Sequence, residues 1–132
     1  MVALECLKNL YFSMKIGYIT SEYPHAKIKH AAGIGTSIKN LAITLVKKGV
    51  DVTIFVYHQE VEAVFLDEGV EIHLIKNKKY KFATWYFYRK HIQKYVNTIV
   101  KTKGIQLLEA PDWTGITAFM NFDVPLVIRF HG

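Results

Sequence analysis

Four times along this chain a short run of β-forming apolar residues gives way to a stretch with helical spacing, and no other feature limits the fold so strongly. "KIGYIT" from Lys15 reads as a strand ended by "SEYP". Ile38, Leu41, Ala42, Leu45 and Val46 then fall on one helical face, with Lys39, Asn40, Lys47 and Lys48 on the other. Thr36 or Ser37 supplies an N-cap and Gly49 a stop. "VTIFVY" is a second strand, "VEAVFLDEG" predicts one or two helical turns, and "VEIHLI" alternates as a half-exposed edge strand does. Phe82, Trp85, Ile92, Val96, Ile99 and Val100 form the apolar stripe of the longest helix, with Lys90, Lys94, Asn97 and Lys101 on another, solvated face. "IQLLEA", "WTGITAFMN" and "PLVIRF" predict a fourth strand, a short helix and a fifth strand.

Strands alternating with helices imply an α/β fold, a Rossmann-like three-layer domain whose right-handed parallel sheet has the order 3-2-1-4-5 over residues 14–132. Residues 1–13 fit no strand slot and are set aside as an N-terminal extension. Parallel strands are normally buried on both faces, so a helix is expected after strand five, and the domain reads as incomplete at its C-terminus.

A chain of 132 residues, 51% of them apolar, holds one core rather than two. No apolar run approaches the roughly twenty residues that cross a bilayer, and "MVALECLKNLYFS" lacks the basic start and cleavage site of a signal peptide, so a cytoplasmic protein is expected. Cys6 is the only cysteine, which excludes an internal disulfide and a cysteine zinc cluster. The net charge of +6 is unevenly spread: nine of the seventeen basic residues lie between Lys76 and Lys103, where there is no acid. Interleaved there with aromatics, they suit a solvated helix face or peripheral contact with an anionic membrane; nucleic acid is not expected, because no recognition motif accompanies the charge.

"GIGTSI" invites comparison with the G-x-G-x-x-G dinucleotide fingerprint and departs from it in three ways. Ile38 stands in the third glycine's place, twelve residues separate the first strand from Gly33, and the second strand ends in Tyr57 and His58 with no acid for a ribose. NAD binding is therefore disfavoured. Gly33 and Gly35 either shape a turn or let a phosphate or carboxylate approach the helix start.

Taken in order, "MKIGYITSEYP", "AGIGTSIKNLAITLVKKGVDVTIF", "LEAPDWTG" and "VIRFHG" resemble the amino-terminal domain of family 4 glycosyltransferases of the GT-B fold, relatives of glycogen synthase and sucrose synthase. Ala32 departs from the family's common G-G-x-G loop. The resemblance implies retaining sugar transfer from a nucleotide-sugar to an acceptor hydroxyl, with no cofactor and usually no metal. It also implies a cleft shared with a second domain that holds the nucleotide, this chain being a fragment inactive by itself. By position His131 resembles the family's cleft histidine and is the catalytic candidate. Gly33, Gly35, Glu109 and Asp112 are candidates for donor or acceptor binding; Asp112 serves equally as a helix cap. Glu22 and Lys27 on the long first loop are further candidates, while His25, His30, His58, His73 and His91 show no ligand spacing and read as surface or core residues. The rival reading is a noncatalytic Rossmann-like module for an anion, a sugar or a protein partner, and an open sheet would favour self-association.

Overall fold

The computed structural model describes residues 14–112 and 115–130. Strand β1 (Lys15–Thr20) leads through a long loop to helix α1 (Gly33–Lys47), followed by β2 (Asp51–Gln59), β3 (Ala63–Asp67) and β4 (Val70–Lys76). Helix α2 (Thr84–Lys103), β5 (Leu107–Pro111) and β6 (Leu126–Arg129) complete the described elements. The fold is α/β, with a six-stranded sheet in the order β3-β4-β2-β1-β5-β6. All pairings are parallel except that of β3 with β4.

The expected five-strand order is corrected by one element. "VEAVFLDEG" forms β3, not helical turns: Ala63, Phe65 and Asp67 turn inward while Val64 and Leu66 face out, the period of two that a strand requires. Glu68 and Gly69 then have φ of 50° and 84°, a two-residue hairpin turn of the mirror-image type that matches strand twist. Asp67 pairs with Val70 across it. "VEIHLI" is consequently an interior strand rather than an edge, and its His73 is buried.

Strand alternation supplies two apolar faces. Ile19, Phe55, Tyr57, Ile75, Leu108 and Ala110 meet Tyr88, Ile92, Val96 and Val100 of α2. On the other face Tyr18, Ile54, Val56, Ile72 and Leu74 meet Ile38 and Ala42 of α1. Fully burying one Ile or Val contributes about 1.5–3 kcal/mol, so these faces dominate the fold's stabilisation. The stripe of α2 differs from the expected one at its start, since Phe82 and Trp85 are exposed and Tyr88 takes the inward position.

Helix α1 begins earlier than the sequence suggests. Ala32 is its N-cap without a side-chain hydrogen bond; Thr36 lies in the first turn and donates its hydroxyl to the Ala32 carbonyl at 3.3 Å, and Ser37 lies inside the helix. At the other end Gly49, at φ 89°, donates to Val46 O while Val50 donates to Leu45 O, each at 3.0 Å. This is the Schellman closure that a left-handed glycine allows. The short helix expected from "WTGITAFMN" is absent from its described part, residues 115–121, where 116–119 form a turn and the rest is irregular. Among the described residues no helix is long and apolar enough to cross a membrane.

Candidate functional site

Parallel strands place their carboxyl ends on one edge, where open α/β sheets hold ligands. Here that rim gathers the tips of β1, β2, β5 and β6 with the start of α1. Thr20 shapes the first loop: its hydroxyl donates to Glu22 O at 3.0 Å and accepts from the Glu22 N–H at 3.2 Å. Farther along, the buried Tyr23 donates its hydroxyl to Asp67 Oδ2 at 2.9 Å, and Lys39 Nζ sits 3.1 Å from the same carboxylate. The loop is thereby tied to the β3–β4 hairpin and to α1.

Among the described residues, two of the pockets along the rim bear on the candidate residues. The first lies between α1 and the sheet, lined by Tyr18, Ser37, Ile38, Leu41, Glu109 and Arg129 among others, and its volume of about 20 Å³ suits a single water rather than a sugar. Within it Arg129 Nε donates to Oε1 of the nearly buried Glu109, whose carboxylate also accepts from the Tyr18 hydroxyl. Burial first, then the Glu109 charge, pushes the Tyr18 hydroxyl up, so it stays protonated as the donor. The second pocket is open, about 460 Å³, and lined by Ser21, Glu22, His30, Ala31, Ala32 and His58. That volume is within the usual range for small-molecule sites.

His58 is the least ordinary residue on this rim. Its φ of 61° places a non-glycine residue in the left-handed region, where the β2–β4 register shifts between Val56 and Gln59. Such strain and bulging recur beside functional sites. The His58 N–H donates to Tyr88 Oη at 3.0 Å, and its ring stacks on Tyr88 with centroids 5.1 Å apart. Partial burial lowers its pKa, Asn77 opposes this through a hydrogen bond, and the fields of Arg89 and His30 lower it further. The imidazole is thus held neutral near pH 7 and can both donate and accept.

The expected site residues fall out differently from one another. Gly35 is buried, and a Cβ there would meet the backbone of Glu22 and Tyr23 at 3.0–3.1 Å, so its role is close packing of α1 against the first loop. Gly33 is exposed with nothing within 4 Å of such a Cβ, next to Ala32 at the open pocket. Glu109 is on the rim but committed to Arg129 and Tyr18. Asp112 does not cap a helix within the described residues; its N–H donates to Arg129 O, and its carbonyl accepts from Gly115, both at 3.2 Å. Lys27 stands away from the open pocket's lining, with Nζ 4.9 Å above the Phe65 ring. His131 lies outside the described residues, as do residues 1–13. His30 and His58, which sequence spacing passed over, come together only because the first loop folds back over the tip of β2. Among the described residues no group of three or more His, Cys, Asp or Glu is arranged to hold a metal ion.

No family model matches the chain, and no curated protein matches it either.

Proposed function

We propose that this chain is a Rossmann-like, acceptor-side domain of a retaining glycosyltransferase, taking a sugar from a nucleotide-sugar to an acceptor hydroxyl without a resident cofactor or metal. The observation that carries this reading is the open rim pocket, where a carboxylate from Glu22 and two imidazoles from His30 and His58 meet the start of α1. Carboxylates and imidazoles suit sugar hydroxyls, and free amides at a helix start suit a phosphate. The ordered likeness of "KIGYITSEYP", "AGIGTSIKNLA" and "LEAPD" to the family supports it further, since these segments supply strand tips and the helix start on this rim. His131 is retained as the catalytic candidate on that likeness alone.

One observation favours a noncatalytic binding module instead: the Glu109 carboxylate is already occupied by Arg129 and Tyr18. An amide-resolved NMR titration with nucleotide-sugars and with simple glycosides separates the readings. Because the nucleotide is held by the second domain, the transferase reading expects simple glycosides, the acceptor class, to shift Glu22, Ala32, Gly33 and His58, and expects His58→Asn, which tolerates the left-handed backbone, to weaken those shifts severalfold. Response to nucleotide-sugars alone favours the binding module. Absence of rim shifts with every ligand overturns both.

A further inference from the structure

The first turns of α2 and the loops beside it carry exposed aromatics that no packing in the core explains. Phe82 is 74% exposed, Phe119 64% and Trp85 56%. They form one cluster: Phe82 and Tyr80 lie against Phe87, with centroids 5.9 and 5.5 Å apart, Phe87 lies against Tyr86 at 5.5 Å, and Phe119 bridges Tyr86 at 6.2 Å and Trp85 at 5.7 Å. Phe119 has a φ of 65°, a strained value for a non-glycine residue. It is held there from α2: Lys90 Nζ donates to the Phe119 carbonyl, Gln93 accepts from the Asn121 N–H at 2.9 Å, and Asn97 donates to the Asn121 carbonyl at 3.0 Å. The polar face of α2, read from sequence as solvated, is partly spent on presenting an aromatic ring to the outside.

A basic segment leads into the cluster, and its Lys78 lines a pocket with His91, Lys94 and Tyr95 of α2. Lys76, Lys78, Lys79 and Lys81 are exposed, and among the described residues none is paired with a carboxylate. Arg89 lies over Trp85 and Lys90 over Tyr86 at 5.9 and 5.7 Å. A second copy docking symmetrically would set lysine against lysine, which disfavours self-association through this surface. An anionic partner fits the charge. The aromatics also meet one another edge to face, with interplanar angles of 84° for Phe82–Phe87, 79° for Tyr86–Phe87 and 77° for Trp85–Tyr86, so several ring faces are covered by neighbours. Nucleic-acid bases need open ring faces for stacking. A lipid interface needs only protruding apolar volume beside basic residues.

We propose that Phe82, Trp85 and Phe119, together with Lys76, Lys78, Lys79 and Lys81 of the segment that leads into them, form a docking surface for an anionic phospholipid membrane. The segment leaving the carboxyl end of β4 brings this surface to the same edge of the sheet as the rim pocket, and the Tyr88–His58 hydrogen bond joins the two. Docking would therefore set the pocket close to the headgroups, and it holds whatever chemistry the pocket performs.

The test is sedimentation with vesicles of phosphatidylcholine alone or with phosphatidylglycerol added. Binding is expected only with the anionic lipid, weakened by salt and accompanied by a blue shift in tryptophan emission that Trp85→Phe diminishes. Phe82→Ser with Trp85→Ser should lower binding about tenfold or more; Lys78→Gln with Lys79→Gln and Lys81→Gln should do the same, since each basic residue contributes roughly a fivefold factor near an anionic surface. All these side chains are exposed, and circular dichroism checks that the variants stay folded. Absence of binding to anionic vesicles overturns the proposal, as does binding that neither variant weakens. Tighter binding to a single-stranded oligonucleotide overturns it in favour of nucleic acid. An aromatic-dependent dimer without lipid binding overturns it in favour of self-association.

Discussion

Gly33 and Gly35 look equivalent in sequence, and their surroundings give them opposite roles. A methyl at Gly35 would press on the carbonyl carbon and oxygen of Glu22 and the nitrogen of Tyr23, all main-chain atoms of a loop fastened by Thr20, so little can yield. Overpacking costs roughly 1–3 kcal/mol, whereas replacing an internal helix glycine by alanine returns about 1 kcal/mol. Gly35→Ala is therefore expected to destabilise by about 1 kcal/mol and Gly33→Ala to be neutral or slightly stabilising, measured by urea unfolding. A stabilised Gly35→Ala would show that the loop can move and that the glycine is not required for packing. The glycine-rich start of α1 was legible as a helix entrance, but the division of labour within it depends on a loop more than ten residues upstream. His58 was illegible for a similar reason: nothing local in "VTIFVYHQ" marks the residue at which β2 bulges.

At the level of elements, the hairpin is where sequence reasoning was most misled. Val61, Val64, Phe65 and Leu66 form an apolar run too short for period to separate helix from strand, and Glu-Gly is a weaker turn signal than Asn-Gly or Asp-Gly. The left-handed backbone at both turn positions leads to two substitutions of opposite effect. Gly69→Ala places a methyl at φ 84° and 2.9 Å from Val46 Cγ1, and should cost about 1–2 kcal/mol even as Val46 adjusts. Glu68→Asn should instead gain roughly 0.5 kcal/mol, because asparagine tolerates this region better and the 3.9 Å approach of Glu68 to Lys39 is an exposed contact of little worth. Thermal melts of both variants check the sign. If both destabilise equally, the turn is not held in this conformation. The helices and the parallel strands were easier to read because each satisfies its hydrogen bonds along a long, regularly patterned segment.

Across the whole molecule, the two-faced apolar sheet was legible in the alternation of strands and helices, while the charge state of its interior was not. His73 lies in the sheet, with Nδ1 2.9 Å from Tyr95 Oη and its ring 5.4 Å from Phe55. Burial lowers its pKa although Glu71, itself paired with Lys103, approaches Nε2 at 3.5 Å. His58 and His91 are lowered too, burial again being the first cause. Above the ordinary histidine value of about 6.5 both the folded and unfolded chains hold these rings neutral, so they add no pH dependence. As pH falls through that value the unfolded chain takes up protons that the folded chain resists, and stability must drop, by at most about 1.4 kcal/mol per pH unit from His73. Asp67 acts in a lower window: burial raises its pKa, but the Tyr23 and Lys39 contacts overcome this and hold it below the usual carboxylate range, so its contribution is lost only as pH falls below about 4. Urea midpoints measured from pH 7.5 to 5 should therefore decline below about 6.5, and His73→Gln, whatever its own cost, should decline less steeply. A wild-type midpoint that stays level across that interval would mean that His73 accepts a proton inside the folded sheet, with Glu71 rather than Lys103 governing its charge.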